Sequence, residues 1–77
     1  MDADVTVDAR GMACPKPVIE LAKAARHRAA GTVATVICTD AAARIDVPAW
    51  ARLTGNEFLG ETQTDDGAFA LTVRLLG

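Results

Sequence analysis

The period of the chain changes within Asp8-Ala9-Arg10-Gly11-Met12-Ala13-Cys14-Pro15-Lys16-Pro17, and this switch restricts what can lie on either side of it. Before it, Val5 and Val7 alternate with polar residues, as in a short strand with one buried face. After it, Val18, Leu21, Ala22, Ala25 and Ala29 recur at helical spacing. Gly11 breaks the strand and the prolines start the helix, with Cys14 at the N-cap or one residue from it. With Cys14 as the cap, Pro15 falls at N1, where its fixed φ suits the first turn, and Pro17 at N3. Lys16 and Val18 then carry the remaining unpaired amides. The Lys16 amide is the expected partner of a sulfur anion on Cys14, and its ammonium adds positive charge where the helix dipole already favours a thiolate. The helix is expected from about Pro15 to Ala30, with Gly31 at C′ and Lys16–Glu20 as a surface pair.

Val33-Ala34-Thr35-Val36-Ile37-Cys38 is continuously apolar and β-prone, which predicts an interior strand. Strand, helix and strand within about 30 residues read as a parallel βαβ unit. Its carboxyl edge, where α/β sheets gather their chemistry, receives Cys14. A loop from Asp40 leads to a second helix capped by Asp46, with Pro48 in its first turn and Gly55-Asn56 at its end. Ile45, Ala49 and Leu53 form its expected apolar face, with Arg44 and Arg52 elsewhere; Trp50 is either core or an anchor for a partner. Asp65-Asp66-Gly67 joins two β-prone runs as a hairpin. Phe69, Leu71, Val73 and Leu75 alternate strictly in the last run, and Gly60 marks a bulge or an edge in the one before. The sum is an α+β two-layer sandwich, βαβαββ, a four-stranded mixed sheet with two helices on one face, in a single domain over residues 1–77.

A 51% hydrophobic fraction suffices for a core, but with three aromatic residues the packing rests on Val, Leu, Ile and Ala. Two cysteines are too few for a disulfide-stapled secreted scaffold. No signal peptide or membrane-length apolar run is present, so a cytoplasmic protein with reduced thiols, not bound to membrane, is expected. Lys23, Arg26, His27 and Arg28 cluster at the end of the first helix, where they complement its dipole. A net charge of −2 argues against direct tight nucleic-acid binding. The single histidine, His27, lies roughly 18 Å along the helix from Cys14, too far for a Cys–His hydrolase. No Cys-x-x-Cys pair suggests a thioredoxin-type enzyme, and no His/Cys set at ligand spacing suggests a metal.

Asp8-x-x-Gly11-x-x-Cys14-Pro15-x-Pro17 resembles the signature of the TusA/SirA-like family of small sulfur carriers, and Asp46-Val47-Pro48 resembles the start of that family's second helix. The resemblance covers nearly the whole chain and implies the same two-layer fold. It implies that Cys14 takes sulfur as a persulfide from a donor protein, a cysteine desulfurase or rhodanese, and relays it to an acceptor protein. The receiving pathway would be tRNA thiolation, cofactor sulfuration or sulfur oxidation. No cofactor or metal is implied, and a monomer acting as a sulfurtransferase-type carrier without independent turnover is expected. Lys16, Pro15, Pro17, Arg10, Gly11 and Asp8 are the candidate supporting residues, although Asp8 also suits a role in ordering the loop. The chain departs from the family in two places. Trp50-Ala51 stands where several relatives carry a cysteine, and Ala30-Gly31 stands for the commoner Pro-Gly. Cys38 is a candidate second thiol, with a small buried core residue as the competing reading. Two other functions remain open at this point: a non-catalytic regulatory or interaction module, and a thiol redox sensor using Cys14 and Cys38.

Overall fold

β-branched residues dominate the first two runs that pair, and the computed structural model, which describes residues 3–76, has four strands and two helices. In order they are β1 (Val5–Ala9), α1 (Lys16–Ala25), β2 (Val33–Cys38), α2 (Ala43–Leu53), β3 (Glu57–Gln63) and β4 (Phe69–Arg74). The sheet order is β1-β2-β4-β3, so β2 is interior, as its unbroken apolar run predicts. β1 and β2 are parallel, from Val5 opposite Ala34 to Ala9 opposite Cys38. β4 runs antiparallel to both β2 and β3. The β3–β4 register shifts between Phe58 and Gly60, the bulge expected at that glycine, whose φ of 145° few other residues adopt.

Period-two alternation selects which residues face the helices. Ala9, Ala34, Val36, Cys38, Leu71 and Val73 are fully buried against Leu21 of α1 and Val47 of α2. These are small and branched side chains that let helix and sheet approach closely. Trp50, Phe58 and Phe69 are half-buried and close the rim of this core.

The helices depart from expectation in four respects. α1 stops at Ala25, not Ala30, because Arg26 turns extended and His27 enters the left-handed region at φ 64°. Ala29 is therefore outside the helix and exposed, and Gly31 leads into β2, donating its N–H to the Leu75 carbonyl. Glu20 pairs with Lys23 at 3.7 Å, one turn along, in place of the expected Lys16. α2 starts earlier than Asp46, because Asp40 captures the Ala42 amide at 2.9 Å and nucleates the turn, leaving Pro48 inside the helix. Its buried stripe is Ala43, Val47 and Ala51, whereas Ile45 and Leu53 are 74% and 85% exposed. Two apolar stripes compete on α2, and the one made of small residues faces the sheet.

Candidate functional site

Three loops meet at the carboxyl edge of β1 and β2. Gly11, at φ 78°, takes a left-handed turn that a side chain would strain, and its N–H donates to Thr39 Oγ1 at 2.9 Å. The Cys14 N–H donates to Asp40 Oδ2 at 2.8 Å, while Asp40 Oδ1 holds the Ala42 amide. One carboxylate thus ties the segment before α1 to the segment before α2. From the other side, Arg10 Nε reaches Asp66 of the β3–β4 turn at 3.0 Å, and its Nη1 reaches Asp8 at 3.2 Å.

Cys14 sits one residue before the N-cap, which is Pro15, and the Cys14–Pro15 peptide is cis. Lys16 is therefore the first helical residue and Pro17 the second, one position earlier than a Cys14 cap would place them. Pro17 is buried, a core role that the helical apolar stripe of the sequence did not include. The Lys16 amide is engaged by the Ala13 carbonyl at 2.9 Å, so it is not the partner of the sulfur. The half-buried Cys14 thiol instead donates a hydrogen bond to Asp46 Oδ2 on α2. That hydrogen bond, together with desolvation and the charges of Asp46 and Asp40, pushes the thiol up to about 11 from an ordinary 9.0. A helix terminus alone predicts the opposite sign; here the sulfur lies before the cap and is engaged by a carboxylate.

The other candidate residues divide by what they touch. Asp8 accepts from the Arg10 amide at 3.1 Å as well as from its guanidinium, the loop-ordering role open to it from sequence. Arg10 is engaged by Asp8 and Asp66. Lys16 is exposed, two residues after Cys14. Cys38 is fully buried in the core, its sulfur 3.7 Å from the Phe69 carbonyl oxygen, and burial pushes its thiol up as well. That is the position of the core reading, with no solvent-facing surface for exchange. Asp46, expected as a helix cap, is the contact that the sequence does not reveal: it meets a residue 32 positions away. A shallow depression of about 340 Å³ lies elsewhere, lined by Leu59–Thr62 and Thr72.

Comparison with known proteins places these features in a group. The family profile described as Sulfurtransferase TusA matches residues 5–75. The sulfur carrier protein TusA of Pseudomonas entomophila is 42% identical over 71 residues, covering 92% of this chain and 88% of that one. The putative sulfur carrier protein YrkF of Bacillus subtilis is 40% identical over 78% of this chain, which spans only 32% of YrkF. The crystal structure of a SirA-like protein from Desulfitobacterium hafniense superposes with a TM-score of 0.81 at 31% identity, over 95% of this chain and 99% of that one. Among the described residues no helix is long and apolar enough to cross a membrane.

Proposed function

The chain belongs to the TusA family of sulfur carriers, and from the geometry of its loop cluster we propose that Cys14 Sγ is the atom on which the sulfur travels. The observation that carries this reading is the placement of Cys14. It is the half-buried thiol of the chain, at the sheet edge where three loops converge, while Cys38 is sealed in the core.

In loading, the Cys14 sulfur attacks the terminal sulfur of a donor persulfide, R–S–SH. A new S–S bond forms on Cys14, the donor S–S bond breaks, and its electron pair leaves on the donor sulfur as R–S⁻. The proton lost by Cys14 ends on that sulfur, giving Cys14–S–SH and R–SH without net oxidation. Unloading runs the same exchange toward an acceptor thiol. Such relay requires both a donor and an acceptor protein. The donor we propose is a cysteine desulfurase or a rhodanese, and the working compartment a reducing cytoplasm in which Cys14 stays free. Asp8, Arg10 and Gly11 hold the loop, Pro15 and Pro17 set the start of α1, and Lys16 puts an exposed positive charge on the first turn of α1.

The test is sulfur loading followed by intact-mass measurement. Cys14→Ser is expected to gain no sulfur from a desulfurase and cysteine, while Cys38→Ser gains one, as the wild type does. Loading of Cys14→Ser at the wild-type level overturns the assignment.

A further inference from the structure

Two carboxylates lie close to Cys14 and they do different things. Asp40 has both oxygens committed to backbone amides, those of Cys14 and Ala42, and so holds the loop. Asp46 approaches from α2 and takes the hydrogen bond of the sulfur itself. Among the described residues no cationic side chain hydrogen-bonds to that sulfur: Arg10 is turned to Asp8 and Asp66, and Arg44 to Glu61 at 2.9 Å. A sulfur carrier that only needed speed would be served by the reverse arrangement, with a cation at the thiol.

We propose that Asp46 determines which thiols can draw sulfur from this carrier. Hydrogen-bonded to Cys14 Sγ, it keeps that sulfur a weak nucleophile and a poor leaving group toward small thiols, and the sulfur moves once a docked protein partner pairs with Asp46. The inference rests on the reading of Cys14 as the carrying atom. In unloading, an acceptor thiolate attacks the terminal sulfur of Cys14–S–SH, the S–S bond breaks, and its electron pair arrives on Cys14 Sγ. The acceptor's proton ends on that sulfur, which leaves R–S–SH and Cys14–SH. Negative charge therefore builds on Sγ in the transition state, beside Asp46 and near Asp40. Exchange slows as the basicity of the leaving sulfur rises. The same carboxylate repels an incoming anionic thiolate. A partner that brings a positive group to Asp46 removes both obstacles, whereas glutathione-sized thiols meet them in full.

The experiment is alkylation of the Cys14 thiol by iodoacetamide across pH, in a Cys38→Ser background, for the wild type and for Asp46→Asn. The wild-type midpoint is expected near 11, and the variant's nearer to the ordinary 9.0. At neutral pH, up to roughly a hundredfold more thiolate, offset by up to about eightfold lower intrinsic nucleophilicity, makes the variant several-fold faster, about tenfold at most. Loaded Asp46→Asn is likewise expected to lose its sulfur to glutathione several-fold faster than the loaded wild type. Asp46→Ser, with a smaller uncharged side chain, is the second variant should the amide disturb α2, and the wild-type midpoint is read independently of either. A wild-type midpoint at 9.0, or variants that alkylate no faster than the wild type, overturns the proposal; slower variants assign Asp46 as a general base instead. Sulfur loading of Cys14→Ser defeats the carrier reading alone, since the alkylation result does not depend on it.

Discussion

Asp40 donates nothing and accepts twice, and both of its donors are backbone amides at the start of a helix or just before one. The Cys14 amide first and the Ala42 amide second hold its carboxyl below the ordinary 3.8. A carboxyl lowered on folding adds stability that is fully present above its unfolded pKa and is lost as pH falls through the folded one. Asp40→Ala is therefore expected to melt at a lower temperature than the wild type at neutral pH. The gap should close on acidification below 3.8, once both proteins lack the charged acceptor. Melting curves at a series of pH values check this, and a gap that stays constant into acid removes the interpretation. At this scale the thiol was legible from its motif, since proline and glycine punctuation marks the strand exit at Gly11 and the helix start near Pro15. The sign of its titration was not. That depends on Asp46, which has no periodic relation to Cys14 and reaches it only because two helices share one face of the sheet.

α2 shows how far pattern carries at the scale of an element. Helical spacing in residues 43–53 allows two apolar stripes, and Ile45 and Leu53, with Ala49 between them, make the stronger pattern. The fold buries Ala43, Val47 and Ala51 instead. Which stripe faces inward is set by the separation of helix and sheet, a quantity that belongs to the partner elements and not to the helix. Val47→Ala is expected to destabilise by about 2 kcal/mol, from lost burial plus the cavity left behind. Leu53→Ala, at an 85% exposed position, should stay within about 0.5 kcal/mol of the wild type. Urea unfolding of the two variants compares them directly, and equal losses would mean that the buried face is assigned wrongly. The early end of α1 was illegible for a related reason. Arg26, His27 and Arg28 followed by two alanines offer no breaker, yet His27 turns left-handed to bring the chain back to β2. The strands were easier, because alternation in Val5–Ala9 and Phe69–Leu75 admits only one face, and Gly60 and Gly67 mark the bulge and the turn.

For the molecule as a whole, β4 is central together with β2, since it pairs with both β2 and β3 and contributes Leu71 and Val73 to the core. A chain of this length has about 4–12 kcal/mol of total stability. Leu71→Ala, at a position with no exposed surface, is expected to cost about 2–5 kcal/mol. It should therefore lower the melting temperature read by circular dichroism by on the order of 10 °C or more, whereas a cooperative melt at the wild-type temperature would contradict the central place given to β4. The same register has a practical consequence. Val5 and Arg74 both lie beside the first residues of β2, Ala34 and Val33, whereas Ala9 and Phe69 flank its last, Cys38. The described chain thus enters and leaves on the side of the sheet away from the thiol. Cargo appended at either terminus, whether an affinity handle, a fluorophore or another folded module, would trail behind the sulfur and leave its approach open.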